Sequence, residues 1–254
     1  MYSIGIDSGS TATKAVLFDG QNVVDKIIKP TSWSPKTTSK EIYEELLKRN
    51  NLDKSKIKKV IGTGYGRVSM DFIDKSVTEI TCHCKGAYYY DNSIRTILDI
   101  GGQDSKVISL DDNGNVKEFL MNDKCAAGTG KFLNIMCNTL GIDIYELDNL
   151  DFYDVKPSKI SNMCAVFAES EVISLLAKGE SKDSILKGII VSICNRGSSL
   201  LGKINQDSKI AFTGGLSQSN LIKETLKQII KKDIIIPKDS QFIGAIGASI
   251  IGYK

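Results

Sequence analysis

Two cysteines stand in segments rich in small residues, and both are candidates to bind a metal group through their thiolates. Cys125 lies in the segment NDKCAAGTG, and Cys164 lies in the segment SNMCAVFAE. Each comes shortly before a stretch with helical spacing, so we expect each thiolate at a helix N-terminus, where the partial positive charge favours anions. An iron–sulfur cube needs four thiolates. One such pair is half of that set, so other residues or a second copy of the chain would complete it; the alternative is two buried structural cysteines.

A turn rich in Gly and Ser near the N-terminus has the composition of a phosphate-binding loop. It follows Asp7 in the segment DSGSTATK, and its small residues would let a phosphate approach the backbone N–H groups. Asp7 would hold Mg²⁺ through water, since Mg²⁺ keeps much of its hydration shell. Taken alone, such a turn more often closes a plain hairpin. The predicted nucleotide-binding residues here are Ser8, Gly9, Ser10, Thr11, Ala12, Thr13 and Lys14.

The same pattern recurs in the segment DIGGQDSK, which begins at Asp99. Asp7 and Asp99, facing each other across a cleft, would bind a Mg²⁺–nucleotide, and Gln103 or Asp104 would orient an attacking water. We therefore predict catalytic roles for these four residues. A third glycine segment, FTGGLS, ends a predicted strand and would suit an adenine or a ribose. Further nucleotide-binding residues predicted in the last two segments are Gly101, Gly102, Gly214 and Gly215.

The elements that must position these residues alternate between strands and helices, which indicates an α/β protein. The hairpin with Asp7 and the hairpin with Asp99 repeat one pattern, which suggests two lobes of one design. We predict a first lobe of residues 1–92 plus 240–254 and a second of 93–239. The predicted strands are 2–7, 12–18, 23–29, 59–63, 94–100, 106–110, 116–121, 209–213 and 233–236, and the predicted helices are 39–50, 129–140, 165–178, 184–204, 220–231 and 241–251.

The composition is that of a folded globular protein. Hydrophobic residues make up 41% and charged residues 25% of 254 residues, which excludes a disordered chain. The formal net charge of +3 is too mild to indicate nucleic-acid binding. We see no apolar export signal or membrane-spanning stretch and expect a cytoplasmic protein. In that setting the six cysteines are more typical of core residues, metal ligands or redox groups than of disulfides.

The three glycine segments, in this order, resemble the nucleotide site of the superfamily of acetate and sugar kinases, heat-shock chaperones and actin. The resemblance implies a two-lobed actin-like ATPase of duplicated ribonuclease-H-like lobes with a nucleotide cleft between them. It also implies ATP or ADP with Mg²⁺ as ligands. Gln241, at the start of the last predicted helix, joins the expected nucleotide-binding residues.

With both cysteine segments included, the chain is similar to the activators of 2-hydroxyacyl-CoA dehydratases, which share ancestry with the ATPase subunits of benzoyl-CoA reductase. The likeness runs nearly end to end and includes the segments GTGYGR, EITCH and GAIGA. It implies a homodimer in which Cys125 and Cys164 of both subunits hold one [4Fe–4S] cluster. It further implies that ferredoxin or flavodoxin reduces the cluster, and that one electron passes to the dehydratase with ATP hydrolysis.

Other interpretations remain open. Some short relatives reduce a double-cubane cluster protein instead of a dehydratase. A small-molecule kinase of the same superfamily would need a substrate-binding insertion, for which 254 residues leave little room; a nucleotide-dependent binding protein would have no redox role. The segment Cys82-His83-Cys84 invites a metal-binding interpretation, but a helical pattern continues through it, and members of the family that the chain resembles usually carry a small residue at the position of Cys84. Cys137 and Cys194 fall on apolar helix faces and are predicted to be core.

Overall fold

The structure is a computed structural model that describes residues 1–150, 152, 154–161, 164–204 and 209–254. The chain divides into two compact units. Unit 1 consists of Met1–Ile97, Ile108–Phe119 and Pro237–Lys254, and unit 2 consists of Leu98–Val107 and Leu120–Ile236. Each of two five-stranded sheets is covered by helices, so the α/β fold predicted from the sequence is confirmed.

The first sheet has the strand order β3-β2-β1-β4-β5. Its strands are β1 (Tyr2–Ser8), β2 (Ala12–Phe18), β3 (Val23–Pro30), β4 (Ile57–Thr63) and β5 (Lys75–Ser76). β1 pairs antiparallel with β2, which sets Asp7 opposite Lys14, and parallel with β4, which sets Asp7 opposite Thr63. The register therefore places Asp7 between the cation Lys14 on β2 and Thr63, the last residue of β4 before the next loop.

Three helices accompany this sheet: α1 (Pro35–Arg49), α2 (Glu79–Tyr90) and α7 (Ile243–Tyr253). α1 packs Ile42 and Leu46 into the same apolar core as Ile4 and Ile6 of β1. It begins four residues earlier than predicted, because the Ser34 side chain accepts a hydrogen bond from the Thr37 backbone N–H and a proline occupies the first helical position.

The second sheet has the order β10-β9-β6-β7-β8. Its strands are β6 (Ile94–Ile100), β7 (Ser105–Leu110), β8 (Val116–Asn122), β9 (Lys209–Thr213) and β10 (Ile234–Ile235). The helices that follow these strands are α3 (Gly130–Leu140), α4 (Ala165–Ala177), α5 (Lys182–Leu201) and α6 (Asn220–Ile230). Leu98 and Ile100 of β6 share one core with Phe132, Ile189 and Ile193 of the helices. The helices thus bury one face of this sheet and fix the ends of β6 and β9, where glycines follow.

Several predicted elements besides α1 differ in their bounds from the structure, and the last helix and the last strand are two of them. The last helix begins at Ile243 rather than at residue 241, because a short 3-10 turn, Ser240–Phe242, precedes it. The strand predicted for 233–236 is reduced to the two residues of β10. Among the described residues, no helix combines the length and the apolar character that a membrane crossing requires.

Candidate functional site

The Gly/Ser turn predicted to bind phosphate joins β1 and β2 in unit 1. Asp7 is buried at the end of β1, and the Lys14 ammonium lies 3.4 Å from its Oδ2 atom. The turn is braced by Thr31, whose hydroxyl donates to the Gly9 carbonyl at 2.8 Å and whose backbone N–H donates to the Thr11 carbonyl at 2.9 Å. Backbone bracing of this kind holds the turn open beside a fixed carboxylate and a cation.

The Ser8 side chain is the part of this turn that lacks a partner. Its Oγ atom is buried and makes no hydrogen bond to any described residue. Leaving a buried hydroxyl unsatisfied costs roughly 1–3 kcal/mol. The hydroxyl faces Gly66, where a Cβ would stand 2.4 Å from it, so a phosphate oxygen at the turn would accept from it once the side chain turns toward the ligand.

Gly64, which follows β4, packs directly against Asp7 and Ser8. Its φ of +84° lies in the region that favours glycine, and a Cβ there would stand 2.5 Å from Asp7 Oδ1. The segment GTGYGR, whose sequence indicates only a family likeness, thus supports the Asp7 carboxylate. The Arg67 guanidinium donates to the Gly64 carbonyl at 3.0 Å and holds this loop in place.

In unit 2, Asp99 lies at the end of β6 and is 2% exposed. The Lys106 ammonium, 1% exposed, stands 3.3 Å from Asp99 Oδ1 and 3.0 Å from Asp104 Oδ1. The Thr213 hydroxyl donates to Asp99 Oδ2 at 2.6 Å. The carboxylate predicted to act on Mg²⁺ is therefore held by a buried cation and a buried hydroxyl, and neither Lys106 nor Thr213 is among the site residues predicted from the sequence.

The glycine loop after β6 is fixed by the start of α3. The backbone N–H groups of Gly130 and Lys131 donate to the carbonyls of Gly101 and Gly102, at 3.0 and 2.8 Å. The Gly101 N–H donates to the Asp104 carbonyl at 2.9 Å, which closes the turn. Part of the N-terminal donor set of α3 is thus used to hold the loop itself.

Gly214 brings the third glycine segment onto the end of β6. Its φ is +90°, and a Cβ would lie 2.2 Å from the Ile100 carbonyl oxygen. Gly215 begins a short 3-10 helix, and the Ser217 hydroxyl donates back to the Gly214 carbonyl at 2.7 Å. Unit 2 therefore brings together Asp99, the loop at Gly101 and the loop at Gly214.

The remaining predicted site residues lie at the surface of these loops or in unit 1. Gln103 is exposed, whereas Asp104 is half-buried and paired with Lys106. Gln241 is half-buried in the turn before α7, in unit 1. Ser10 and Thr11 form the exposed tip of the hairpin after β1. The roles assigned to these residues remain predictions.

Cys125 is half-buried in the segment between β8 and α3. The expectation that it lies at a helix N-terminus is wrong in detail, because Thr129 is the N-cap of α3 and a turn separates the two residues. In that turn the Thr129 backbone N–H donates to the Ala126 carbonyl at 3.1 Å. The Asn122 side-chain amide donates to the Cys125 carbonyl at 3.1 Å. This hydrogen bond fixes the backbone at Cys125 and does not involve the Cys125 thiol, which is left to other partners.

Cys164 is exposed and is the N-cap residue of α4, as predicted. Its carbonyl accepts from the Ala168 backbone N–H at 2.8 Å, and its side chain makes no capping hydrogen bond. Asn162 and Met163, just before it in the quoted motif, lie outside the described residues. α4 also exposes large apolar side chains: Val166 (69%) and Phe167 (64%) shortly after this cysteine, and Ile173 (55%) seven residues after Val166. Exposed apolar groups of this kind mark interaction surfaces.

The other four cysteines are buried in helices, as the core prediction for Cys137 and Cys194 requires. Burial raises the pKa of the Cys82, Cys84 and Cys194 thiols to about 12, and that of Cys137 to about 11. These thiols are therefore protonated at neutral pH, and only the thiolate is a strong metal ligand. His83 Nδ1 lies 2.9 Å from the Glu79 carbonyl oxygen within α2. Cys82 and Cys84 are therefore poor metal ligands.

The donor chemistry of Cys125 and Cys164 fits a cluster better than it fits a structural core. Both belong to unit 2, and both are more accessible than the other cysteines of the chain. Thiolate sulfur is the ligand that iron–sulfur clusters require. The apolar surface of α4 beside Cys164 would exclude water from such a group once it is covered.

Two α/β units, each opening with a hairpin that carries an Asp–Lys ion pair, define an ATPase of the actin-like fold. Comparison with known proteins narrows this class. The chain belongs to the BadF/BadG/BcrA/BcrD ATPase family, whose profile matches residues 4–252.

Three relatives illustrate the similarity. The chain is 44% identical over 253 residues to the uncharacterized protein YjiL of Escherichia coli, covering 100% of this chain and 97% of that protein. It is 38% identical to the activator of lactoyl-CoA dehydratase of Anaerotignum propionicum, over 100% of this chain and 98% of the activator. The solved structure of the activator of the 2-hydroxyisocaproyl-CoA dehydratase from Clostridium difficile, with bound ADPNP, matches with a TM-score of 0.93 at 39% identity. That match covers 100% of this chain and 94% of the activator chain.

Proposed function

We propose that this protein is an ATP-dependent activator that delivers a low-potential electron to a partner enzyme, a 2-hydroxyacyl-CoA dehydratase. Two copies of the chain would hold one [4Fe–4S] cluster through Cys125 and Cys164 of each. When bound, such a cluster supplies one-electron chemistry at low potential. Ferredoxin or flavodoxin would be the electron donor. The dehydratase activators to which the chain is similar over nearly their whole length support this choice of partner.

One observation carries the proposal: a single short segment of unit 2 connects the glycine loop to Cys125. The N–H groups of Gly130 and Lys131 hold the carbonyls of Gly101 and Gly102. Cys125 lies a few residues upstream, fixed by Asn122. A phosphate that moves the glycine loop would therefore pull on the backbone that carries the thiolate.

The residues of unit 1 would bind and orient phosphate. Ser8 Oγ would donate to a phosphate oxygen, since it has no described partner. The Lys14 ammonium would offset negative charge beside Asp7, and Asp7 would orient the water shell of Mg²⁺. In unit 2, Asp99 would likewise orient the water shell of Mg²⁺. Lys106 and Thr213 would keep the Asp99 carboxylate in one orientation.

The proposal is tested by replacing Asp7 with Asn in the anaerobically purified protein. We expect ATP hydrolysis to fall by roughly 10²-fold, because the charge that positions the cation is lost, while iron content stays unchanged. Asp53→Asn is the matched control, since Asp53 is exposed and its side chain makes no hydrogen bond in the described structure. A wild-type hydrolysis rate in Asp7→Asn would contradict the proposal.

The partner is tested separately by mixing the reduced protein with a 2-hydroxyacyl-CoA dehydratase and Mg–ATP. We expect ATP-dependent dehydratase activity from the wild type and none from Cys164→Ala. Reduction of a double-cubane protein without any activation of a dehydratase would replace the proposed partner and keep the electron-transfer role.

A further inference from the structure

Unit 2 contains a cavity of about 750 Å³ that none of the predicted site residues lines. One wall is α5, a second is the segment 157–160, and a third is formed by Ser105 of β7 with Met121 and Asn122 of β8. Binding sites for small molecules commonly enclose roughly 300–1,000 Å³, so this volume suits a ligand of the size of a nucleotide or larger. The cavity is lined by the end of β8, whereas the glycine loop at Gly214 follows β9. Two strands, β6 and β7, lie between β8 and β9 in the sheet.

The charge of the lining is entirely positive. Lys159, Arg196 and Lys203 line the cavity, and none of the other described residues that line it is acidic. None of these three side chains makes an ion pair or a hydrogen bond with any residue in the described part of the chain. Arg196 is half-buried, and its guanidinium has no counter-ion among the described residues. Three unpaired cations around one concave surface favour a ligand with more than one negative charge.

The rest of the lining is of two kinds. Ser199 and Asn195 of α5 lie at positions where their side chains can donate to an oxyanion. Met121, Val191 and Leu200 supply an apolar surface. A site with this mixture takes a ligand that has a polyanionic end and an apolar body.

We propose that this cavity binds the phosphate groups of an amphipathic phosphorylated small molecule. Arg196 provides a planar fork that engages phosphate oxygens in pairs, and Lys159 and Lys203 add mobile charges at the rim. The apolar residues of the lining bind the remainder of the ligand.

The cavity lies beside the segment of Cys125 and is lined by residues that precede Cys164 in sequence, and this regulatory part of the inference rests on the proposed function. Asn122, on one wall, donates to the Cys125 carbonyl. The aliphatic part of Arg196 packs on Gly128, where a Cβ would lie 2.6 Å from the Arg196 Cδ atom. Ile160, on another wall, precedes Cys164 by four residues. A ligand that occupies the cavity would hold both segments and slow their separation from a shared cluster.

The test is calorimetric titration of the anaerobically purified protein, saturated with Mg–ADP, using inorganic pyrophosphate and coenzyme A as probes. Saturation with Mg–ADP fills the phosphate site at Asp7 and leaves this cavity to be measured. We expect both probes to bind and coenzyme A to bind more tightly, because it adds an apolar body. Arg196→Gln should weaken both by about tenfold, the usual worth of a charge-assisted hydrogen bond. Lys178→Gln, a surface change at the end of α4 outside the lining, should bind like the wild type.

Lys203→Gln is the second variant, because Lys203 is exposed and its replacement cannot disturb the core. Circular dichroism of Arg196→Gln checks its fold. The inference is overturned if neither probe binds the wild type, or if both variants bind the probes as tightly as the wild type. Tighter binding of pyrophosphate than of coenzyme A would overturn the amphipathic ligand class.

The regulatory part, that a ligand in the cavity slows the loss of the cluster, is tested by measuring the rate at which a chelator removes iron. We expect coenzyme A to slow iron release from the wild type and to have no effect on Arg196→Gln. An equal rate with and without coenzyme A would overturn the coupling. A protein that binds coenzyme A but carries no iron would refute the proposed function and leave the anion site standing, so the two failures are distinguishable.

Discussion

Lys106 places its ammonium nitrogen 3.3 Å from Asp99 Oδ1, and both side chains are almost completely buried. The same spacing in sequence produces the pair Lys14 and Asp7, 3.4 Å apart, in the other unit. In each pair the two residues are seven positions apart and lie on the two strands of their own hairpin. The repeat seen in the sequence is thus a repeat of one charged pair at the end of a central strand.

We expect Lys106→Met to destabilise the protein by roughly 3 kcal/mol, because it leaves the Asp99 carboxylate buried without its cation. The free energy of unfolding in urea measures this. Lys223→Met on α6 is the control, since Lys223 is 29% exposed and lies 3.8 Å from Glu224; its loss should cost under about 1 kcal/mol. Equal losses in the two variants would show that the Lys106 pair contributes no more than a surface pair.

Gly64→Ala tests whether the loop after β4 supports the Asp7 carboxylate. Gly64 and Gly179 both have a φ of +84°, but a Cβ at Gly179 would meet nothing within 4 Å. Gly179→Ala should therefore cost only the strain of a left-handed alanine, about 1–2 kcal/mol, and leave ATP hydrolysis intact. Gly64→Ala should cost more, because the methyl group displaces Asp7, and should lose hydrolysis.

The two substitutions are compared by unfolding in urea and by ATPase rate. A Gly64→Ala variant that hydrolyses ATP like Gly179→Ala would contradict the proposed support of Asp7.

The six cysteines should separate into two classes of reactivity. In protein stripped of iron, we expect iodoacetamide at pH 8 to modify Cys125 and Cys164 and to spare the other four. Burial holds the pKa of the other thiols at about 11 to 12, and only a thiolate reacts. Since a raised pKa delays deprotonation, the spared thiols should react only as the pH approaches that range or as the chain unfolds. Mass spectrometry of the peptides identifies the sites; early modification of Cys194 would contradict the assignment.

Much of the fold could be predicted from the sequence, because the strands that flank the site carry their pattern locally. β2, β6 and β9 have the predicted bounds, since alternation or apolar runs end at glycine or charged turns. The start of α1 was missed because Ser34 and Pro35 lie outside the apolar repeat and act only through capping. β10 is shorter than predicted because Ile234 and Ile235 are the two residues of it that pair with β9.

The site was less predictable where its contacts join distant segments. Thr213 meets Asp99 across 114 positions, and Gly214 meets Ile100, so neither contact has a local signal. Lys106 was visible as the second member of a repeated Asp–Lys spacing, and that repeat would have identified it as a site residue. The place of Cys125 before a turn, rather than at the first turn of α3, depends on Thr129 acting as the cap.

The most direct measurement of the central claim is the iron content and the mass of the anaerobically reconstituted protein. A cube of four irons held by two thiolates from each of two chains requires about two irons per chain and a dimer. We predict this ratio, a dimeric mass by light scattering, and loss of both iron and dimer in Cys125→Ala and in Cys164→Ala. Four irons on a monomer, or full iron content in either variant, would contradict the account.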